Sequence, residues 1–565
     1  MFFTFRFSLF VFHYSLFTST QIFPIFEQIF FMKNLFILIF ISFYIQNFYS
    51  QTNRYFIAFK NKNNNGYSIS NPSAFLSPKA IQRRINQSIP IDYSDLPVTP
   101  SYVNQINSLT GVNVLHRIKW LNGVIVQTTN TTALTVIQSY TYVQSVQPLN
   151  FSVHINPIDS SQQIFNQPSA KTYSYNYGNS YDQIHQINLE CLHNAGYRGE
   201  GMIIAVIDDG FYNVQNNPVF DSLFQQGRLL GTRDFVTGDT MVYEDDSHGA
   251  YVLSTMAALS NGNMIGTAPK ASYWLLRSED VSSESPVEEY YWIRAAEFAD
   301  SAGADVINTS LGYTTFDNST YNHTYSMMNG KTTPIAIAAR MAARKGIFVT
   351  VSAGNEGSSS WYYISTPADA DSVCTVGAVD VNGVVGSFSS HGPTSDGRIK
   401  PDVCAMGVNA TIASPGGFVF NGNGTSFASP IIAGAAACLW QAKPNLTNIQ
   451  LLNLIKQYSS NSSSPNNSIG WGIPDFCGAF TDVEKFDHSN NIKVYPNPFS
   501  DKLFVTSYFQ INKIEIYNLL GEKIIDKNCN DISVEISLDK FSKGIYFLTI
   551  YFDSDKKYCQ KIIKE

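Results

Sequence analysis

Charge is scarce in this 565-residue chain: Asp, Glu, Lys and Arg make up 14% of it, against about 25% in an average soluble protein. The formal net charge is −7 and no basic patch offsets it, which argues against nucleic acid as a partner. Cysteine is sparse as well. The seven present show no C-x-x-C or Cys/His spacing, so the pattern excludes an ordinary zinc site. Cys374, Cys404 and Cys438 lie in apolar context and read as small core residues. Cys529 and Cys559 share the C-terminal part of the chain and are expected to pair once exported. Long apolar runs are also few. The clearest, Leu35 to Ile45, follows Met32-Lys33-Asn34 and is too short for a membrane span. A short basic start, an apolar core and Ser50 before Gln51 read as a secretion signal. Residues 1–50 are therefore expected to be an N-terminal extension and signal peptide, with translation starting at Met32.

What the chain does have is four polar positions set in apolar or glycine-rich surroundings. Met202 to Gly210 is a continuous apolar run ending in Asp208-Asp209-Gly210. It reads as a buried parallel strand with an acid at its carboxyl end, where open α/β sheets place their sites. Asp246-Ser247-His248-Gly249 opens a helix-like stretch of small and apolar residues. Ile347 to Gly357 is a second buried strand running into Asn355 between glycines. Gly424-Thr425-Ser426-Phe427-Ala428-Ser429-Pro430 puts a serine at the mouth of a helix rich in Ala and Gly, with Pro430 read in its first turn. A serine hydroxyl needs a base to take its proton and a third group to hold that base. Asp208 or Asp209, His248 and Ser426 supply those groups, and Asn355 supplies an amide for a developing oxyanion.

The order Asp, His, Asn, Ser resembles the subtilisin-like serine proteases, the subtilases. Further blocks carry the resemblance: Gly266-Thr267-Ala268-Pro269, Asp305 to Gly312, Phe388 to Pro393 and Lys400-Pro401-Asp402-Val403. It implies an α/β fold with a parallel sheet sandwiched by helices. It further implies Ser426 as nucleophile, His248 as general base and acid, Asp208 rather than Asp209 as orienting acid, and Asn355 as oxyanion donor. Ser310, Leu311 and Gly312, with Ser352, Ala353 and Gly354, would line the peptide substrate. The chemistry calls for no metal and no cofactor, and no acidic loop is assigned to calcium. Three departures stand out: Asp209 after Asp208, His248-Gly249-Ala250 without the usual threonine, and His391 before Gly392-Pro393. Asp209 adds negative charge near His248 and is expected to raise its pKa. Activity should otherwise fall below about pH 6, where imidazole is protonated.

Residues 51–150 alternate strand-like and helix-like pieces, among them Tyr55 to Phe59, a capped helix from Ser77, and a hairpin turning at Leu121-Asn122-Gly123. A small α+β domain in this place resembles the subtilase propeptide, a folding aid and inhibitor of its own enzyme. Residues 151–174 follow as a linker and 175–482 as the catalytic domain. From 490 to 565 the composition turns strand-like. Tyr495-Pro496-Asn497-Pro498-Phe499, Tyr517 to Gly521 and Gly544 to Leu548 resemble the C-terminal sorting domain of type IX secretion, a small β-sandwich. The implied protein is a secreted or cell-surface endopeptidase, exported through the periplasm with outer-membrane secretion machinery as partner. The alternative is a catalytically inactive subtilase-fold surface protein for binding or adhesion.

Overall fold

The computed structural model describes residues 53–149, 175–244, 246–482, 492–552 and 557–565. The proposed signal peptide and linker fall outside these residues. Among them, no helix is long and apolar enough to cross a membrane.

Seven parallel strands form the central sheet: β1 (Ile203–Asp208), β2 (Leu229–Asp234), β3 (Ser272–Arg277), β4 (Val306–Thr309), β5 (Phe348–Ser352), β6 (Cys374–Val379) and β7 (Val403–Met406). Their spatial order is β7-β6-β5-β4-β1-β3-β2. The chain moves from β1 to one edge, returns through β3, then crosses to β4 on the other side. That reversal opens a crevice at the carboxyl ends beside β1, the usual ligand position in such sheets.

Helices cover both faces, among them α1 (His248–Ala257), α2 (Val287–Ala302), α3 (Pro334–Arg344) and α4 (Thr425–Ala442). Alternation along β1 decides which core each residue joins. Ile204 and Val206 pack with α1 and α4, whereas Ala205 and Ile207 pack with α2 and α3. Both faces being covered explains why the strands read as unbroken apolar runs rather than alternating ones.

Residues 54–148 form a four-stranded antiparallel sheet, in spatial order 112–118, 123–128, 54–59 and 143–148. Ser77 caps the helix Pro78–Asn86 by accepting the Ala80 N–H at 3.2 Å. This sheet lays Phe56, Ile118, Trp120 and Ile125 into the apolar cluster beneath α2. Around that contact, Arg83 (2.5 Å), Arg84 (2.9 Å) and Lys119 (3.2 Å) converge on Asp300 of α2. Burial alone would raise the Asp300 pKa, but these three cations hold its carboxyl far below the usual range.

The C-terminal unit, Thr481–Glu565, is β-rich. Five antiparallel strands, Ile492–Tyr495, Lys502–Tyr517, Lys523–Ser537, Gly544–Tyr551 and Lys557–Lys564, enclose Leu503, Val505, Ile514, Ile516, Leu548 and Ile550. Lys502–Tyr517 is one long strand. Its register shifts between Thr506 and Lys513, and this irregularity hides the continuity from a period-two reading.

The expected Cys529–Cys559 pair is not formed: both thiols are free, whereas Cys191 and Cys477 make a disulfide across 286 residues of sequence. Cys529 and Cys559 sit on strands that are not neighbours in the sheet, since 523–537 pairs with 502–517 and 557–564 pairs with 544–551. Sharing one domain did not bring the two thiols onto neighbouring strands.

Candidate active site

Asp208 is the last residue of β1 and is 1% exposed. Its Oδ1 accepts the Nδ1–H of His248 at 2.6 Å and the backbone N–H of Asp209 at 3.0 Å. Its Oδ2 is buried with no hydrogen-bond partner among the described residues. His248 is the first residue of α1 and keeps 31% of its side chain exposed. The approach of α1 to β1 requires Gly249, because a Cβ there would lie 2.3 Å from the carbonyl of Gly210.

Three carboxylates surround this imidazole. Burial lowers the His248 pKa, but hydrogen-bonded Asp208 first, then Asp209 and Asp246, outweigh it and raise the value to about 10. Asp209 moves the other way for a carboxylate: burial and the charge of Asp208 push its pKa well above the usual range.

Ser426 is the second residue of α4. Its N–H belongs to the first helical turn, whose amides lack intrahelical acceptors. The hydroxyl donates to the carbonyl of Ser310 at 3.2 Å, and the Ser310 hydroxyl donates back to the Ser426 carbonyl at 2.8 Å. The second bond has a clear cause. Pro430 sits in the second turn of α4 rather than the first, because the helix starts at Thr425. A proline there has no N–H for the carbonyl four residues earlier, which is that of Ser426. Ser310 supplies the missing donor and ties the end of β4 to the helix mouth.

Asn355 accepts the backbone N–H and the hydroxyl of Thr425 on its Oδ1, both at 3.0 Å. A backbone N–H can only donate, so the side-chain oxygen must face Thr425 and the NH2 must face away. That NH2 has no protein acceptor among the described residues. Gly354, at φ +104°, turns the chain so that Asn355 reaches the mouth of α4.

Of the six residues expected to line substrate, Ser310 is tied to the Ser426 carbonyl and the other five divide into two groups. Leu311 and Gly312 follow β4 and make no backbone hydrogen bonds among the described residues, so their edge is open. Ser352 and Ala353 are buried, and Ala353 commits its N–H to Val376 and its carbonyl to Ser365. The Gly354 carbonyl is taken by the Ser390 N–H at 3.0 Å.

A buried polar network under the site escaped the sequence reading. Asn308 accepts Ser429 at 2.9 Å and Thr350 at 3.2 Å, and donates to Ser310 at 3.1 Å. The available sign was a run of polar residues, Asn308, Thr309 and Thr350, inside otherwise apolar parallel strands.

Comparison with known proteins matches residues 199–472 to the subtilase family, 54–165 to the peptidase S8 propeptide domain of Bacteroidota, and 493–565 to the secretion system C-terminal sorting domain. Subtilisin E of Bacillus subtilis (strain 168) is 36% identical over 272 residues, 47% of this chain and 63% of that protein. The subtilisin of Bacillus pumilus is 35% identical over 272 residues, again 47% of this chain but 87% of that protein. Subtilisin Savinase of Lederbergia lenta is 30% identical over 284 residues, 50% of this chain and 92% of that protein. The sorting domain marks a secreted or cell-surface protein.

Proposed function

Because this chain belongs to the subtilase family, we propose that it is a secreted serine endopeptidase that cleaves peptide bonds through an acyl-enzyme. The observation that carries this reading is the 2.6 Å bond from Asp208 to His248 at the same sheet end as Ser426 and the outward-facing amide of Asn355. In the proposed reaction, rotation of the Ser426 side chain takes its hydroxyl from the Ser310 carbonyl to Nε2 of His248. The oxygen attacks the peptide carbonyl as His248 takes the proton, and Asp208 stabilises the imidazolium. The Asn355 NH2 and the Ser426 N–H hold the oxyanion. His248 then protonates the leaving amine, and water activated by the same imidazole releases the acyl group. The open edge at Leu311 and Gly312 would pair with an extended substrate.

The domain boundaries belong to the same proposal: residues 51–150 as propeptide and inhibitor, 151–174 as processed linker, 175–482 as catalytic unit, 490–565 as the part read by the exporter. The sheet of residues 54–148, clamped on α2 through Asp300, suits a part that guides folding and later departs. A second reading, a protein that keeps the fold only to bind, draws on one fact: the Ser426 hydroxyl is bonded to Ser310. A fluorophosphonate probe separates the two. The processed protein should be labelled on the peptide containing Ser426 and should digest casein. Absence of label on correctly processed, folded protein would leave the binding reading in its place.

The charge around His248 sets the pH dependence. A base must be unprotonated to act, so a raised imidazole pKa moves the acid limb of kcat/KM upward from the pH 6 expected of an ordinary histidine. Removing one nearby carboxylate should undo part of this. Asp209→Asn is expected to lower the midpoint of that limb by about one pH unit. An unmoved midpoint would show that Asp209 does not act on His248 through its charge.

A further inference from the structure

Next to His248 the surface opens into a cavity of about 230 Å³ whose wall includes six carboxyl groups: Asp209, Glu279, Asp280, Glu284, Glu288 and Asp317. No Lys or Arg forms an ion pair with any of them among the described residues. Arg277, the cation whose charge acts on Glu279, gives its guanidinium instead to Asp234 at 2.7 Å and to the carbonyl of Asp209 at 3.0 Å. Neutral donors meet some of them instead: the hydroxyls of Tyr313 at 2.6 Å and Ser278 at 2.7 Å bond Glu279, and the N–H groups of Asp280 at 2.8 Å and Ser285 at 2.6 Å bond Glu288. Burial pushes Glu279 up to about 7, and burial together with the charges of Glu279 and Asp317 pushes Glu284 up to about 8.

A second observation points to a missing ligand. Ser283 lines the same cavity, is 7% exposed, and its buried hydroxyl has no hydrogen-bond partner among the described residues. An unpaired buried hydroxyl is costly, and a donor group entering the cavity would satisfy it.

The spacing of the acids decides what kind of cation fits. A bound metal ion needs several ligand atoms within one coordination shell, at about 2.3–2.6 Å from calcium for example. Among the described residues only Asp208, Asp209 and His248 bring three such atoms within 4.8 Å of one another. Glu279, Glu284, Glu288 and Asp317 are not grouped that closely, and the cavity is far larger than an ion. A guanidinium is planar, carries five donors on a long stem and spans separated acceptors.

We infer that this cavity receives an arginine side chain of the substrate, at a position close to the scissile bond on its acyl side. The inference rests on the peptidase reading above. Asp209 connects the two sites, since it lines the cavity and also accepts the Gly249 N–H at the start of α1, 3.2 Å away. Glu284 and Asp317 form the outer wall and are linked through the Glu284 N–H to the Asp317 carboxylate at 3.2 Å.

The test uses the full-length protein after self-processing and a set of internally quenched peptides. Arginine is moved through the four positions preceding the cleaved bond, and each peptide is paired with its citrulline twin, which keeps the shape and loses the charge. At one position the arginine peptide should show a kcat/KM at least about 10-fold above its twin. In the Glu284→Gln/Asp317→Asn double variant that ratio should fall to within about 2-fold. Fluorophosphonate labelling of Ser426 reports that each protein is folded and competent. Ratios near one at every position, in protein that labels, would overturn the inference while leaving the peptidase reading standing. Protein that neither labels nor cleaves would remove both. Calcium that raises the melting temperature of the parent but not of the double variant, and abolishes the arginine preference, would assign the cavity to a metal and also overturn the inference.

Discussion

Ser426→Ala is expected to lower kcat by about 10⁶-fold while substrate binding, read from KM, changes little. His248→Ala should cost about as much, and the double variant hardly more than either alone. The reason lies in how the groups act. The hydroxyl is inert without a base to receive its proton, and the imidazole has no proton to take without the hydroxyl. Removing one therefore disables the other, and the two losses cannot add. A residual rate above that in water should survive in all three variants, because the Asn355 amide and the Ser426 N–H remain in place. Steady-state kinetics on one peptide substrate, with the self-processing step bypassed by coexpressing the propeptide separately, measures all four rates. Losses that multiplied in the double variant would mean that Ser426 and His248 serve different steps, and the proposed mechanism would have to be abandoned.

The sheet was legible because its physics is local. Strands buried on both faces must be apolar throughout, so β1 and β5 announce themselves as runs bounded by glycine and acid. The helix from Ser77 and the turn at Asn122, whose φ is +50°, were readable for a similar reason, since caps and left-handed turns demand particular residues. Relations across the fold were not legible. The Cys191–Cys477 bridge joins a short helix before β1 to another after α4, and nothing in the spacing of seven cysteines selects it.

The same division runs through the site. Asp208 and Ser426 stand out because a polar residue at the end of a buried strand or the start of a buried helix needs a reason. The acids of the cavity do not. Glu279, Asp280, Glu284 and Glu288 are scattered over ten positions of a connecting loop and the first turn of α2, where acids are also ordinary helix-start residues. Only the folded loop, with Asp317 brought in from beyond β4, reveals that they share one wall. Pro430 was misread by one turn, and that small error concealed a connection. The carbonyl it strands is that of Ser426, which is why Ser310 is drawn to the helix mouth.

Asp208→Asn should reduce kcat by about 10⁴-fold with the fold intact. The carboxylate has one dominant partner, Nδ1 of His248 at 2.6 Å, and its acceptor oxygen fixes the proton on Nδ1 so that Nε2 is left to act as base. An asparagine of the same shape can turn its NH2 toward Nδ1, which must then accept, and the proton moves to Nε2. The imidazole then faces Ser426 as a donor and cannot take its proton. The substitution also removes the largest of the attractions that hold the His248 pKa near 10. The rate that remains should therefore titrate at lower pH than in the parent. These two effects separate the proposed role from a structural one. A merely destabilised protein would lose fluorophosphonate labelling together with melting temperature, and its pH midpoint would stay where it was. The expected variant keeps its melting temperature within a few degrees, loses turnover, and shifts its acid limb downward. If turnover stayed within about 10-fold of the parent, the carboxylate would be orienting nothing, and the base that activates Ser426 would have to be sought elsewhere.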